Sequence, residues 1–220
     1  MVDQILNFIK NKYFIGVVLL VLFIYAAFSI NQAISDKENE EDFNKFILVN
    51  DAFEDPEKSA IELFKELDLD FKNVGYEIVA KSILAKKAVN EVNLLSQEKD
   101  KDQTIDEKDS KERFELAIML YMEVYFQTKD SNINEQTRKI LLDQYRNNIV
   151  RLYIETDDYD NGRQFIENES EDSFYFYELA GDFYKYFKEY ELANEYYDLA
   201  ISLSSDDMQV NLINLKRTTQ

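Results

Sequence analysis

Large and small residues alternate at regular spacings between Tyr177 and Ser205, and this pattern restricts the possible folds more than any other part of the chain. Residues three, four or seven positions apart lie on the same face of an α-helix. Small residues allow two helices to approach closely, and aromatic rings fill the space beside them. The pattern therefore predicts two helices packed against each other. It is formed by Tyr177, Ala180, Gly181, Tyr184, Tyr190, Ala193, Tyr197 and Ala200.

These spacings are typical of a tetratricopeptide repeat (TPR), a helix–turn–helix unit that stacks on its neighbours into an α-solenoid. Two weaker copies precede it, Phe114-x-x-Ala117-x-x-x-Tyr121-x-x-Val124 and Tyr159-x-x-Gly162-x-x-x-Ile166. The second copy follows a helix that we predict over residues 136–155. Four Gly and one Pro in 220 residues argue against a β-rich fold with many tight turns. We therefore predict an all-α, TPR-like α-solenoid of helical hairpins. A simple helical bundle is the alternative for residues 40–95.

Further helices are predicted upstream of the repeats. A helix over residues 31–54 would carry an apolar stripe, and Asp55-Pro56 has the capping and first-position residues of a helix start. Another helix follows Gly75. The stripe of the first helix consists of Phe43, Phe46, Ile47 and Phe53.

Two predictions concern polar parts of the domain. Residues 97–112 are almost all polar, which predicts a charged flexible loop. The last helix, about Asp207 to Arg217, has Met208, Leu212 and Leu215 on one side. We predict that this side packs inward and that the helix is a C-terminal capping helix whose polar outer face is exposed to solvent.

An uncharged, apolar run of 18 residues from Tyr13 to Ile30 predicts a single transmembrane helix. At 1.5 Å per residue such a helix is about 27 Å long, close to the thickness of the hydrocarbon core. A cleaved signal peptide is the alternative, but its apolar region is usually about 7–15 residues long. Lys10 and Lys12 precede the run, so the positive-inside rule favours a cytoplasmic segment 1–12 and an exported domain 31–220.

The composition excludes several classes of function. The formal net charge of −19 would repel the phosphates of nucleic acid, so no nucleic-acid partner is expected. The chain contains no His and no Cys, which removes the usual general bases, thiol nucleophiles and transition-metal ligands. We therefore expect no catalytic site, metal or cofactor. A calcium loop at Asp157–Gly162 is disfavoured against a helix-connecting turn, because Tyr159 and Asn168 replace required ligands.

A partner-binding surface is predicted where the first helices of successive repeats line a groove. Tyrosines in such a groove would suit an extended or unfolded segment, because their rings give a large contact area. Packing of Tyr175 and Tyr186 against the C-terminal helix is the alternative. The predicted surface consists of Gln144, Asn147, Arg151, Tyr175, Glu178, Asp182, Lys185 and Tyr186.

The whole layout resembles the YfgM family of single-span bacterial inner-membrane proteins with a periplasmic TPR-like domain. The resemblance extends from the N-terminal segment and the apolar run to three specific stretches, which are Phe114-Glu115-Leu116-Ala117, Leu179-Ala180-Gly181-Asp182 and the ending from Asp207 to Leu215. It implies an accessory subunit of the SecYEG translocon that acts with a membrane-anchored periplasmic chaperone of the prolyl-isomerase type. It also implies a role in regulating envelope stress signalling.

We therefore expect a membrane-anchored scaffold that assists the handling of exported proteins. Two other classes of function stay open. One is a general holdase that binds unfolded envelope proteins directly, which exposed aromatic residues in the groove would favour. The other is a hydrolase that uses carboxylates, which would need two acids converging in a pocket.

Overall fold

The computed structural model describes residues 37–97, 107–169 and 173–218, and these residues form helices with no strand among them. The predicted all-α class is confirmed for this part of the chain. The predicted transmembrane run, Tyr13–Ile30, lies outside the described residues. Within the described ranges, no helix has both the length and the hydropathy that a membrane span requires.

The helices are numbered here in chain order. The first, α1, covers residues 37–53. The others are α2 (Ala60–Glu66), α3 (Val74–Gln97), α4 (Glu107–Asp130), α5 (Glu135–Glu155), α6 (Tyr159–Asn168), α7 (Phe174–Tyr186), α8 (Tyr190–Leu203) and α9 (Asp207–Thr218).

Three helical hairpins follow one another along the chain, and each packs on the next. Helices α3 and α4 form the first, α5 and α6 the second, and α7 and α8 the third, while α4 and α7 both contact α5. Three alanines of the first hairpin, Ala80, Ala88 and Ala117, are fully buried. Small buried side chains allow neighbouring helices to approach closely.

The turns inside the second and third hairpins have the same backbone geometry. Asp157 and Lys188 both adopt a positive φ, 53° and 65°. In each turn the following amide donates back to a carbonyl five residues earlier, Asp158 N to Tyr153 O and Glu189 N to Tyr184 O, both at 2.9 Å. This is the hydrogen-bond pattern of a Schellman motif. The two turns lie 31 residues apart, the same spacing as the predicted copies that begin at Tyr159 and Tyr190.

Helix α1 is held by polar contacts to the segment that joins α2 and α3. Asp42 is buried, and its Oδ2 accepts a hydrogen bond from Asn73 N at 2.6 Å. Lys45 Nζ donates to Asp68 Oδ2 at 2.7 Å. Phe43 and Ile47 of the predicted apolar stripe are exposed, so that part of the prediction was wrong. The buried apolar residues are Val49 and Phe53, so α1 makes its apolar contacts through its second half.

The start of α2 corrects a second prediction. Asp55-Pro56 does not begin a helix, and Asp55 Oδ1 instead accepts from Glu57 N in a local turn. Helix α2 begins at Ala60, where Ser59 caps it and Glu62 completes a capping box. Ala60 N also donates to Glu91 Oε1 of α3 at 2.9 Å. This contact between distant residues fixes the helix start four residues beyond the proline.

The predicted loop over residues 97–112 is shorter than expected. Gln97 is the last residue of α3, and α4 begins at Glu107, so residues 107–112 are helical. Residues 98–106 lie outside the described residues. The first turns of α4 are stabilised by charged pairs one turn apart, including Arg113 Nη1 with Asp109 Oδ2 at 2.5 Å.

Helix α9 packs with the opposite face from the one predicted. Met208, Leu212 and Leu215 are exposed, and the buried residue is Ile213. Lys216 lies on the packed side, where its Nζ donates to Glu178 Oε1 at 2.7 Å and to Asp182 Oδ2 at 2.6 Å. Ion pairing to α7 therefore determines the orientation of the last helix.

Candidate functional site

A cleft of about 340 Å³ lies between α3 and α5, over α4. Its volume falls within the range of ordinary ligand sites. We call it the α3–α5 cleft. It is lined by Lys86, Val89, Asn93, Phe114, Tyr121, Gln144, Asn148, Arg151, Leu152 and Glu155.

The side chains of the cleft are arranged with apolar groups below and polar groups around them. Tyr121 and Leu152 are buried, and Phe114 and Val89 are partly buried against the core. Burial raises the pKa of Tyr121 to about 12. Its hydroxyl therefore stays protonated at any physiological pH and adds no negative charge to the cleft.

Two cations stand in the α3–α5 cleft without a partner among the described residues. Lys86 and Arg151 are both exposed, and neither forms an ion pair or hydrogen bond within the described ranges. Lys86 has no acidic residue three or four positions away on α3, and Arg151 has only Glu155, with which it forms no ion pair in the described structure. The cleft thus holds two cations and one carboxylate, Glu155, and its lining is net positive on a chain whose net charge is −19.

Basic residues that line two other clefts are already neutralised. Arg113 is paired with Glu91, at 2.9 Å from Nε to Oε2, and Lys58 with Glu66 at 2.5 Å. Lys72 is paired with Glu38 at 3.2 Å in the cleft between α1 and α3. The cations of these two clefts are thus neutralised, whereas those of the α3–α5 cleft are open, as are the exposed Lys65 and Lys139 elsewhere on the described surface.

The structure separates the predicted partner-binding residues into three groups. Gln144 and Arg151 both line the α3–α5 cleft, whereas Asn147 is half-buried beside it and does not line it. Tyr175 and Tyr186 are 62 % and 52 % exposed and lie three helical turns apart, which puts them on one face of α7. The alternative, that these tyrosines are buried against the C-terminal helix, does not fit this exposure.

The third group is engaged by α9 and does not line an open groove. Glu178 and Asp182 accept the hydrogen bonds from Lys216, and Lys185 Nζ donates to the backbone oxygen of Lys216. Burial alone would lower the pKa of Lys216, but its hydrogen bonds to Asp182 and Glu178 raise it overall. These three residues therefore hold α9 in place instead of forming a free surface as predicted, although the Asp182 side chain is still 38 % exposed.

The predicted repeat-packing residues are in the core with one exception. Gly181 contacts the Tyr197 ring so closely that an added Cβ would lie 2.5 Å from two ring carbons. Tyr197 donates from its hydroxyl to Asp182 Oδ1 at 2.7 Å. Tyr190 is 43 % exposed, which contradicts the prediction. The remaining members are buried or half-buried, namely Tyr177, Ala180, Tyr184, Ala193 and Ala200.

The exposure of Tyr190 has a physical reason. The equivalent residue one repeat earlier, Tyr159, stacks on Phe183 with ring centres 5.9 Å apart and meets Phe187 edge-on at 5.1 Å. Phe183 belongs to α7, the first helix of the next hairpin, and Phe187 is the C-cap residue of that helix. Tyr190 belongs to the last hairpin, and α9 does not supply the equivalent aromatic residues.

A buried ionic cluster joins four helices at the centre of the molecule, and sequence reasoning missed it. Arg146 is 1 % exposed, and its Nε donates to Glu169 Oε2 at 2.6 Å while its Nη1 donates to Asp143 Oδ1 at 2.9 Å. Lys129 Nζ reaches Glu169 Oε1 at 3.1 Å. The Arg146 guanidinium also lies 5.8 Å from the centre of the Phe176 ring.

The charges of this cluster compensate one another. Burial acts to raise the pKa of Glu169, but hydrogen bonding to Tyr125 and the positive charges of Arg146 and Lys129 lower it below its usual value. Glu169 therefore stays ionised. Its position corresponds to the small residue that ends the repeat pattern, so the departure from that pattern marks the cluster.

Carboxylates also meet in the cleft between α2, α3 and α4, which has a volume of about 500 Å³. Three of them are engaged structurally, because Glu62 accepts from Ser59, Glu91 from Ala60, and Asp109 pairs with Arg113. These partners favour an ion-pair network over a pair of free acids for hydrolysis. Nowhere in the described ranges do three or more acidic residues form a group that could hold a metal ion.

The segment Asp157–Gly162, predicted as a helix-connecting turn, joins α5 to α6 and forms the start of α6. Asp158 caps α6, and its Oδ1 accepts a hydrogen bond from Asn161 N at 3.3 Å.

Comparisons of this chain with protein-family models, with curated proteins and with solved structures found no match. Functional inference for this chain therefore rests on its own sequence and geometry.

Proposed function

We propose that this chain is a TPR-like α-solenoid scaffold, tethered to the bacterial inner membrane by Tyr13–Ile30, that binds a partner protein in the α3–α5 cleft. The observation that carries the proposal is the pair of unpartnered cations, Lys86 and Arg151, above an apolar floor. Protein interfaces commonly combine an apolar centre with a polar rim. Helical repeat proteins also use surfaces that span successive repeats for binding.

The partner that we propose is the SecYEG translocon together with a membrane-anchored periplasmic chaperone of the prolyl-isomerase type. The sequence resemblance to the YfgM family supports this choice. A tether from the apolar run would keep the helical domain within reach of membrane-embedded export machinery and raise its effective concentration there. The same arrangement would allow a role in the handling of exported proteins and in envelope stress regulation.

A photo-crosslinking residue in the cleft tests this proposal in cells. The full chain is produced with the crosslinker at Asn148, inside the cleft, and separately at Lys139, which is exposed on the same helix outside it. We expect specific adducts with translocon or chaperone subunits from position 148 only. Equal adducts from both positions would refute the cleft as the binding site. Adducts with other proteins alone would refute the choice of partner.

A second function, direct holding of unfolded chains, is favoured by Tyr175 and Tyr186. Both rings are largely exposed on one face of α7, where they offer apolar area to an unfolded segment. A holdase would suppress the aggregation of a chemically unfolded model substrate. If the double variant Tyr175→Ser, Tyr186→Ser no longer suppresses aggregation, the holdase function is supported. If the variant suppresses aggregation as well as the unchanged protein does, these two tyrosines do not bind the unfolded substrate.

A further inference from the structure

The residues of the α3–α5 cleft also indicate which kind of peptide it accepts. Lys86 stands on α3 and Arg151 on α5, so a cation is present on each of the two helices that border the cleft. Several lysines and arginines that pack against other helices are paired with carboxylates in the described part of the chain. Lys81, for example, pairs with Glu77 at 2.6 Å and Glu123 at 2.8 Å. An exposed cation pair left open in a cleft attracts carboxylates by charge complementarity.

Side-chain amides add a second recognition element. Asn93, Gln144 and Asn148 line the cleft and make no side-chain hydrogen bond among the described residues. Each amide has donors and an acceptor, and these match the N–H and C=O groups of an extended peptide backbone. The apolar floor around Phe114 and Leu152 provides a place for aliphatic side chains.

We propose that the α3–α5 cleft binds an extended acidic segment of the partner protein, with aliphatic side chains on the floor and carboxylates at Lys86 and Arg151. In an extended segment, successive side chains point to opposite faces. Alternating acidic and aliphatic residues would therefore meet the rim and the floor at the same time. This inference rests on the proposed function and specifies the chemistry of the ligand.

Fluorescence anisotropy with two matched peptides tests the inference. The full chain is purified in a neutral detergent and titrated into a rhodamine-labelled octapeptide of alternating Asp and Leu, or into the same peptide with Asn in place of Asp. We expect the Asp peptide to bind at least tenfold more tightly. We also expect its affinity to weaken as the salt concentration rises, because exposed charges are screened.

Charge-removing variants assign the binding to the cleft. The double variant Lys86→Gln, Arg151→Gln should lose at least tenfold in affinity for the Asp peptide. The control Lys65→Gln, Lys139→Gln removes two exposed cations from α2 and α5 outside the cleft and should stay within twofold. All four residues are exposed, so circular dichroism and melting temperature should be unchanged in both variants.

The outcomes separate the inference from the proposed function. Equal affinity for the Asp and Asn peptides overturns the acidic ligand but leaves a peptide-binding cleft in place. Binding of the Asp peptide that the cleft variant does not weaken places the acidic site elsewhere and overturns the inference. Failure of both peptides to bind also overturns it, and the crosslinks from position 148 then decide whether the cleft binds a partner of another chemistry.

Discussion

Single glycines decide how closely the repeat helices approach. A Cβ at Gly162 would lie 2.4 Å from a ring carbon of Phe183, and one at Gly181 would lie 2.5 Å from the Tyr197 ring. Both rings are almost fully buried, so neither has free space to move into. These two glycines are required for close helix packing rather than for an unusual backbone conformation, since neither has a positive φ.

We predict that Gly162→Ala and Gly181→Ala each lower the free energy of unfolding by about 1–3 kcal/mol, the usual cost of overpacking a core. Gly75→Ala is the matched control, because its Cβ would meet only the exposed Asn73 side chain at 3.1 Å. In this control the free energy of unfolding should be unchanged or should rise by up to about 1 kcal/mol, because alanine has a higher helix propensity than glycine. Urea unfolding of the three variants provides the measurement, and similar values for all three would contradict the close contacts.

The buried pair of Arg146 and Glu169 makes stability depend on pH. The pKa of Glu169 is lowered on folding from its ordinary value of 4.5. A lowered carboxyl pKa contributes stability that is present above pH 4.5 and is lost as the pH falls through the folded-state pKa.

We therefore predict that Glu169→Gln destabilises the protein most at pH 7 and progressively less below about pH 4.5. Arg146→Met should be the more damaging variant and should lower the free energy of unfolding at pH 7 by about 3–5 kcal/mol. It leaves the buried Glu169 carboxylate with Lys129 as its one cationic partner among the described residues. Unfolding curves between pH 3 and 7 measure both effects. A penalty for Glu169→Gln that does not change with pH would show that Glu169 does not ionise differently in the folded state.

At the scale of the helices, periodicity predicted more than local end signals did. The packed helices from α3 to α8 follow from residues that recur at helical spacing, because burial of one face is encoded in the sequence itself. The start of α2 was missed, because Asp55-Pro56 and Ser59-x-x-Glu62 are both acceptable start signals locally. The contact from Ala60 N to Glu91, 31 residues away, is one that only the folded chain reveals.

The orientation of α9 was missed for a similar reason. Its sequence has an apolar side of Met208, Leu212 and Leu215, but the structure buries Ile213 and pairs Lys216 with Glu178 and Asp182. Long-range ion pairs of this kind have no signature in the pattern of one helix.

The residues of the candidate site were also only partly predictable from the sequence. Gln144 and Arg151 lie in a recognisable repeat, whereas Lys86 lies where the repeat was not recognised.

Two neighbouring residues of α9 test this orientation. We predict that Ile213→Ala, which empties a fully buried position, costs about 2–5 kcal/mol or frees the helix from the rest of the domain. Leu212→Ala removes a similar volume at a position that is 49 % exposed and should cost under about 1 kcal/mol. Hydrogen exchange over residues 207–218 and thermal unfolding report the two effects. A larger loss of stability for Leu212→Ala than for Ile213→Ala would show that α9 packs through the face predicted from the sequence.

For the whole molecule, net charge and the proposed anchor bear on where the helical domain can work. A net charge of −19 disfavours contact with nucleic acid and with anionic lipid surfaces, so we expect close association with a membrane to need a physical tether or a specific partner. The apolar run from Tyr13 to Ile30 would supply the tether, and the α3–α5 cleft would supply the specificity. These two roles are separable by experiment, because the run and the cleft share no residue.

The anchor leads to the last prediction. A single uncleaved span with Lys10 and Lys12 on its cytoplasmic side would leave residues 31–220 outside the cytoplasm. The full-length chain should therefore remain in the membrane fraction after alkaline carbonate extraction, and protease added to spheroplasts should digest the helical domain. A cytoplasmic marker protein, which must stay intact, is the control. A domain protected from protease would reverse the orientation, whereas release by carbonate or an N-terminus near residue 30 would show that Tyr13–Ile30 is not a retained span. In either case the partner would have to be sought in a different compartment, because the cleft meets only the proteins on its own side of the membrane.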